Sequence, residues 1–226
     1  METKIIKILL LEDSPSDAKL LLRCLQKDGL NFEHKIVDSR EEFIESFTGF
    51  NPDVILSDHQ LGGFNSSEAL DLARKHMRNV PFILVTGSVS EEFAVSILKQ
   101  GATDYILKGN LSRLTVAIRA ALAQKEASDK LKQSEENFQN TIDGMVDGVQ
   151  IIDSEWKYLY VNNTVVAQSK FRKEELLGRT MMECYPQIEG TEMFRQLQKC
   201  MTERIIIEME NEFAFPDGTR EWFKLN

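Results

Sequence analysis

Three acidic residues stand where apolar, strand-like runs end. Glu12 and Asp13 directly follow Ile5–Leu11, and Asp58 directly follows Asp53–Ser57. If the two runs are neighbouring parallel strands, their carboxyl ends meet at one edge of the sheet. Three carboxylates there would repel one another unless a hard cation such as Mg²⁺ lies among them. Taken alone, the pair Glu12 and Asp13 is more typical of a helix cap, and Asp58 shifts the balance towards a Mg²⁺ site.

A hydroxyl and an ammonium group follow two further strand-like runs. Thr86 follows Phe82–Val85, and Lys108 follows Asp104–Leu107. A carboxylate such as Asp58 can act as a nucleophile and form an aspartyl-phosphate. Mg²⁺ and Lys108 would neutralise the charge that develops during such a transfer, and Thr86 would supply a hydrogen bond. In isolation, Lys108 also fits a solvated turn residue and Thr86 a helix cap.

The residues with this potential chemistry lie in a half of the chain where strands and helices alternate. Most of the strands are predominantly apolar, which predicts a parallel sheet buried on both faces. The pattern predicts a doubly wound α/β domain with five strands, whose ligands lie at the carboxyl ends of the strands. The predicted elements are strands Ile5–Leu11, Phe32–Val37, Asp53–Ser57, Phe82–Val85 and Asp104–Leu107, and helices Ser16–Asp28, Glu41–Phe47, Ser67–His76 and Glu91–Gln100.

The segment from Leu111 to Met145 predicts one long helix. It is rich in Ala, Gln, Lys and Glu, and its only glycine is Gly144. A seven-residue repeat gives a partly apolar seam, made of Gln124, Leu131, Phe138 and Met145. Both a solvated connector helix and a two-stranded coiled coil fit this seam.

Beyond residue 146 the pattern changes to short strands and short helices, which is typical of an α+β domain with an antiparallel sheet. The predicted elements are strands Gly148–Asp153, Lys157–Val161, Arg204–Phe215 and Arg220–Leu225, and helices that include Lys173–Leu177 and Met193–Cys200. Pro216, Asp217 and Gly218 predict a hairpin turn between the last two strands.

The overall composition argues against several classes of protein. The chain has 226 residues, of which 42% are hydrophobic and 28% charged, as expected for two globular domains. Its net charge of −9 disfavours direct binding to nucleic acid. Three cysteines without a CxxC pair favour a reducing cytoplasm. Neither a membrane span nor a secretory signal is expected.

Residues 5–123 resemble a response-regulator receiver domain of two-component signalling. The resemblance rests on Leu-Leu-Glu-Asp-Ser at 10–14, Val-Ile-Leu-Ser-Asp at 54–58, Leu-Val-Thr-Gly at 84–87 and Gly-Ala-Thr-Asp-Tyr-Ile-Leu-Lys at 101–108. It implies a flavodoxin-like fold in which Asp58 accepts a phosphoryl group from a histidine kinase or a phosphotransfer protein. Gly62 and Gly109 depart from the family, because many receivers have proline at these positions.

The resemblance also implies roles for the residues around Asp58. The matches to the family's Mg²⁺ ligands are Glu12, Asp13, Asp58 and the backbone carbonyl of Gln60. Lys108 matches the lysine that contacts the phosphoryl group, and Thr86 and Tyr105 match the paired switch residues. Gln60 and Ser88 match positions that tune the lifetime of the phosphate.

Residues from about 135 to 226 resemble a PAS domain. The marks are Ser-Glu-Glu-Asn-Phe at 134–138, the strand pair Val149–Asp153 and Tyr158–Asn162, Glu-Glu-Leu-Leu-Gly at 174–178, and Phe-Pro-Asp-Gly-Thr-Arg-Glu-Trp at 215–222. A PAS sheet has five strands and the sequence ends near the fourth, so we expect a C-terminally truncated PAS domain.

The sequence leaves the ligand of the PAS region unknown, and a small-molecule pocket is the less favoured alternative to a packed core. All three histidines lie in the first half of the chain, which disfavours a His-ligated haem, and the Asn-Cys-Arg-Phe motif of Cys-linked flavin is absent. The larger apolar side chains are expected to form a core rather than a pocket: Phe194, Leu197, Met201, Met209, Phe213 and Trp222.

We therefore expect a receiver domain at 1–123, a connector helix at 112–145 continuous with the last receiver helix, and a PAS domain at 135–226. The expected function is phosphorelay signalling in a cytoplasmic homodimer, which forms through the helix or the PAS region. The only chemistry expected of the chain is self-phosphorylation from small donors and self-dephosphorylation.

Three alternative functions can be weighed from the sequence. The chain could be the regulatory part of a sensor histidine kinase or a cyclase whose catalytic domain lies beyond residue 226. A flavodoxin-type electron carrier is disfavoured because the acidic loop after the first strand would repel a flavin phosphate. An aspartate-nucleophile phosphatase is disfavoured because Gln60, two residues after Asp58, is not a second aspartate.

Overall fold

The computed structural model describes residues 5–87, 90–169, 171–214 and 218–225. The chain forms two compact units, one of residues 1–132 and one of residues 133–226. Each unit has its own sheet structure, and the first has two buried apolar clusters whereas the second has one.

The first unit contains a five-stranded sheet whose strands all run parallel, in the order β2-β1-β3-β4-β5. The strands are β1 (Ile6–Leu11), β2 (Phe32–Val37), β3 (Val54–Ser57), β4 (Phe82–Thr86) and β5 (Asp104–Leu107). The helices between them are α1 (Pro15–Lys27), α2 (Arg40–Gly49), α3 (Ser66–His76) and α4 (Glu91–Lys99). This arrangement confirms the predicted doubly wound fold.

The sheet is buried on both faces because its central strands alternate between two apolar clusters. In β1, Ile8 and Leu10 pack into one cluster, whereas Leu9 and Leu11 pack into the other. Successive side chains of a strand point to opposite faces, so an uninterrupted apolar run serves both clusters. Each fully buried leucine contributes about 1.5–3 kcal/mol to the free energy of folding.

Polar caps begin the helices close to the carboxyl ends of the strands. In each case the cap side chain accepts a hydrogen bond from the backbone N–H three residues later, which satisfies a group with no partner inside the helix. The caps of α1, α2, α3 and α4 are Ser14, Ser39, Asn65 and Ser90. Helix starts are thereby fixed at the edge of the sheet where the acidic residues lie.

The predicted long helix is shorter than expected at its start. Residues Lys108–Arg113 form a 3₁₀ segment, interrupted by non-helical backbone at Asn110, and α5 (Leu114–Asp143) follows as 30 continuous helical residues. The seam residues Leu131 and Phe138 are exposed on it. No helix in the described part of the chain is both long and apolar enough to cross a membrane.

The second unit contains two antiparallel strand pairs with short helices between them, as predicted for an α+β region. The strands are β6 (Gln150–Ile152), β7 (Tyr158–Val161), β8 (Met209–Ala214) and β9 (Arg220–Leu225). The helices are α6 (Asn163–Ser169), α7 (Lys173–Leu176), α8 (Met181–Cys184) and α9 (Glu192–Glu203). The buried cluster comprises Tyr158, Val161, Leu176, Met181, Cys184, Ile188, Met193 and Phe194.

Two details of the second unit correct the sequence interpretation. The predicted strand Arg204–Phe215 begins only at Met209, and Arg204 instead adopts the left-handed conformation that ends α9. Its predicted end, Phe215, lies outside the described residues. Met201 and Trp222, expected in the core, are exposed. On β9 the alternation of side chains places Phe223 and Trp222 on opposite faces of the strand. Pro216 and Asp217 of the predicted turn lie outside the described residues.

Candidate functional site

The carboxyl ends of β1 and β3 bring three acidic side chains together. The register pairs Leu11 with Ser57, so the residues that follow them lie side by side. One carboxylate oxygen from each of Glu12, Asp13 and Asp58 lies within 4.8 Å of the others. Glu12 is buried, Asp58 is half-buried and Asp13 is exposed, so the cluster opens to solvent on one side.

Lys108 reaches this cluster from the end of β5, two strands away from β3 in the sheet. Its Nζ donates to Glu12 Oε2 at 2.8 Å, to Asp58 Oδ2 at 3.0 Å and to Asp17 Oδ2 at 2.6 Å. Asp17 lies in the first turn of α1 and was not among the predicted site residues. A sequence signal for it existed, since it follows Asp13 by four residues within the same acidic loop and helix start.

The pKa values of these groups reflect burial and mutual pairing. Burial raises the pKa of the Glu12 carboxyl, although the Lys108 ammonium opposes this shift. Burial alone would lower the pKa of Lys108, but hydrogen bonds to Asp17, Glu12 and Asp58 outweigh it and raise the pKa. The hydrogen bond from Lys108 lowers the pKa of Asp17. Lys108 therefore carries a firmly held positive charge among the carboxylates.

Both oxygens of Asp58 accept hydrogen bonds. The backbone N–H of His59 donates to Oδ1 at 2.6 Å, and Lys108 donates to Oδ2. The His59 ring is itself held, because Nδ1 lies 2.9 Å from Ser66 Oγ and the ring centroid lies 4.2 Å from that of Phe93. The orientation of the Asp58 carboxylate is thus fixed by its own backbone neighbour and by a lysine from another strand.

The predicted residues Thr86, Tyr105 and Gln60 lie at or near the same edge. Thr86 ends β4 and is buried, and Tyr105 lies in β5, partly buried against the second apolar cluster. Gln60 is exposed and its backbone bridges to Asn65. Ser88 lies outside the described residues. The functional roles suggested for these residues remain predictions.

The acidic cluster fits a hard divalent cation. All of its side-chain donors are carboxylate oxygens, which Mg²⁺ prefers, and the open side leaves room for the waters that Mg²⁺ retains. Gly109 stands where many receivers have proline. The peptide bond between Lys108 and Gly109 is trans, as is every described peptide bond.

Family comparisons agree with this geometry. A family model described as the response regulator receiver domain matches residues 8–119, and one described as a PAS fold matches residues 142–226. The chain is a response-regulator receiver domain followed by a PAS fold. Receiver domains act in two-component signalling, where they interact with histidine kinases or phosphotransfer proteins, and they generally bind Mg²⁺.

Curated relatives and solved structures resemble the receiver domain. The regulatory protein AtoC of Escherichia coli is 28% identical over 131 residues, which are 58% of this chain and 28% of AtoC. The DNA-binding response regulator MtrA of Mycolicibacterium smegmatis is 28% identical over 127 residues, 56% of this chain and 54% of MtrA. The chain thus spans from about a quarter to about half of the length of these relatives.

A solved structure extends the comparison to three dimensions. A CheY-like response regulator receiver domain protein from Methanospirillum hungatei superposes with a TM-score of 0.50 at 26% identity. The match covers 55% of this chain and 99% of that one. This similarity therefore concerns the first unit of the chain.

Proposed function

We propose that the receiver domain accepts a phosphoryl group on Asp58, in a Mg²⁺-dependent phosphorelay. The proposal rests on the surroundings of the Asp58 carboxylate. It lies half-buried within a cluster of oxygen ligands and 3.0 Å from an ammonium group that reaches it from a distant strand.

In the proposed reaction, an Asp58 oxygen attacks the phosphorus atom of a phosphohistidine. A bond forms between this oxygen and phosphorus, the bond from phosphorus to the imidazole nitrogen breaks, and the released imidazole takes up a proton from water. Lys108 stabilises the negative charge on the phosphoryl oxygens, as a fixed ammonium does in other phosphoryl transfers. The His59 N–H holds one Asp58 oxygen and so orients the carboxylate for attack.

The acidic residues would bind the metal ion in this scheme. Glu12, Asp13 and Asp58 would hold Mg²⁺, together with the backbone carbonyl of Gln60. When bound, the ion would neutralise charge on the phosphoryl oxygens. The carboxylates then no longer repel the anionic donor.

Thr86 and Tyr105 are proposed to respond to the phosphate. The Thr86 hydroxyl would bind a phosphoryl oxygen at the carboxyl end of β4, and Tyr105 would change its packing on β5. Gln60 and Ser88 would tune the lifetime of the acyl-phosphate. The buried position of Thr86 and the partial burial of Tyr105 support this scheme, because a shift of either side chain must alter its packing.

The change is proposed to pass along a helix to the PAS fold. Under this proposal the receiver comprises residues 1–123, the connector 112–145 and the PAS domain 135–226, and the protein acts as a cytoplasmic homodimer. The uninterrupted course of α5 from Leu114 to Asp143 supports a mechanical connection. Exposed apolar residues Leu131 and Phe138, seven positions apart, support pairing with the helix of a second copy.

Intact mass spectrometry tests the phosphorylation. Wild type incubated with acetyl phosphate and Mg²⁺ should gain the mass of one phosphoryl group, and chelation of Mg²⁺ should prevent the gain. Asp58→Asn should gain nothing, because an amide oxygen is a poor nucleophile. Asp38→Asn is a matched control, since Asp38 is an exposed carboxylate that follows β2 at the same edge. An Asp58→Asn variant that is phosphorylated like wild type would refute the proposal.

A further inference from the structure

The ammonium of Lys108 has no free proton in this structure. A lysine ammonium has three donors, and the three are used by Asp17 at 2.6 Å, Glu12 at 2.8 Å and Asp58 at 3.0 Å. The shortest of these bonds is made to Asp17, which belongs neither to the acidic cluster nor to a strand end. The longest is made to the proposed phosphoacceptor.

The first turn of α1 holds Asp17 in place. Ser14 caps the helix and accepts the backbone N–H of Asp17 at 3.4 Å. The backbone N–H of Ser14 in turn donates to Glu12 Oε1 at 3.2 Å. These two hydrogen bonds connect the start of α1 to the end of β1. The carboxylates of Glu12 and Asp17 therefore reach Lys108 from one hydrogen-bonded segment of backbone.

Phosphorylation of Asp58 affects the three bonds of Lys108 unequally. Phosphorylation converts the Asp58 carboxylate into an acyl phosphate, a mixed anhydride, so neither Asp58 oxygen keeps the negative charge and both become poorer acceptors. The bonds to Glu12 and Asp17 involve no reacting atom. Lys108 can therefore keep both of them and move only its third proton, from Asp58 to a phosphoryl oxygen.

We propose that Asp17 is a positioning residue that acts through Lys108. With Glu12, it anchors the ammonium beside Asp58, so that a single hydrogen bond is exchanged when the phosphoryl group arrives. This inference rests on the proposed function of Asp58. Under this inference, the first turn of α1 helps to position the Lys108 ammonium, which stabilises the phosphoryl group.

The test compares Asp17→Asn, Asp17→Glu and Asp38→Asn in the full chain. With acetyl phosphate and Mg²⁺, the initial rate of phosphorylation in Asp17→Asn should fall about five-fold, the scale expected for one partly exposed charged hydrogen bond. Asp17→Glu restores the carboxylate on a longer side chain and should recover part of the rate. Asp38→Asn removes the same charge from the same edge without contacting Lys108, and it should stay close to wild type.

A second measurement does not depend on phosphorylation. The NMR signal of the Lys108 ammonium, assigned by its absence in Lys108→Gln, should be sharp in wild type because all three protons are bound. It should broaden or vanish in Asp17→Asn and persist in Asp38→Asn. A purely structural effect of Asp17 on α1 would not single out this ammonium among the lysines.

The outcomes separate the two proposals. If wild type is phosphorylated but Asp17→Asn matches it in both rate and ammonium signal, the inference about Asp17 is wrong and the proposed function stands. If Asp17→Asn is faster than Asp38→Asn and wild type, Asp17 restrains Lys108 rather than anchoring it, and the inference is also wrong. If wild type is never phosphorylated, the proposed function fails, and the ammonium signal alone decides whether Asp17 holds Lys108.

Discussion

The receiver domain and the PAS fold use polar residues in opposite ways. In the receiver, the central strands are largely apolar, and the charged residues of the site, Glu12, Asp58 and Lys108, lie where strands end. In the PAS fold, a fully buried polar side chain, Asn162, lies between a strand and a helix. Its four hydrogen bonds go to backbone groups of this fold.

This difference indicates which positions of each domain can be substituted without a loss of stability. Charged residues at the edge of the receiver sheet can be substituted without opening the apolar core. The residues that stabilise the receiver are therefore different from those that carry its proposed chemistry. The PAS fold has a smaller cluster beneath two short strand pairs, and a polar junction supplies part of its order. A substitution at that junction should therefore alter stability rather than chemistry.

The largest expected effect is a loss of stability from Phe82→Ala in the receiver. Phe82 is fully buried in β4, and its removal leaves a cavity between a sheet and helices that cannot close around it. The free energy of unfolding should fall by about 3–5 kcal/mol, measured by urea denaturation with far-ultraviolet circular dichroism.

Two phenylalanines complete this comparison. Phe138→Ala, at an exposed position of α5, should change the free energy of unfolding by no more than about 0.5 kcal/mol at a protein concentration low enough for the chain to be monomeric, where no second helix covers this side chain. Phe194→Ala, in the PAS cluster against Trp156, should cost less than Phe82→Ala because its neighbours can relax into the space. An equal or greater cost at Phe194 would contradict the contrast between the two cores.

The next effect concerns the polar junction of the PAS fold. Asn162→Ala removes bonds to the backbone N–H groups of Val149 and Val165 and to the carbonyls of Ile142 and Asp147. Buried backbone groups left without partners cost about 1–3 kcal/mol each, and relaxation recovers part of this. We expect the free energy of unfolding to fall by about 2–3 kcal/mol.

Tryptophan fluorescence reports this effect, because both tryptophans, Trp156 and Trp222, lie in the PAS region. The neighbouring and exposed Asn163 provides a matched control, and Asn163→Ala should leave the transition almost unchanged. Phosphorylation of Asp58 by acetyl phosphate should proceed normally in Asn162→Ala. A stable Asn162→Ala variant would show that the junction contributes little to the order of the fold.

The receiver was the more predictable part because its strands carry a simple signal. Uninterrupted apolar runs such as Ile8–Leu11 can only be buried on both faces, and the order of strands and helices then places Glu12 and Asp58 at one edge. In the PAS fold the strands are short and apolar residues alternate with polar ones. The exposure of Trp222 depends on which face of β9 packs against the apolar cluster. That choice is made by tertiary packing, so the sequence did not predict it.

The candidate site shows the same limit at the level of single residues. Glu12, Asp13 and Asp58 were expected to meet because they end neighbouring strands. Asp17 was missed because a residue in the first turn of a helix ordinarily interacts with the helix itself. Its place four residues after Asp13 is a weak sequence signal, and the hydrogen bond from the long Lys108 side chain shows that Asp17 belongs to the site.

The smallest expected effect tests how tolerant the edge of the receiver is. Gly62 stands where many receivers have proline, and its backbone does not lie in the left-handed region. A Cβ there would meet Asp13 Oδ2 at 3.8 Å, an ordinary contact. Gly62→Ala should therefore change the free energy of unfolding by less than about 0.5 kcal/mol and the phosphorylation rate by less than about two-fold.

Gly101→Ala is the matched comparison away from the acidic cluster. Its φ of 109° is strained for any side chain, and a Cβ would lie 3.2 Å from Arg74 Nε. We expect a loss of about 1–2 kcal/mol, since the guanidinium that binds the Gly101 carbonyl must also shift. Urea denaturation of both variants makes the comparison. If Gly62→Ala proves as costly as Gly101→Ala, the loop after Asp58 is held as tightly as the core, and chemistry and stability are not separate in the receiver.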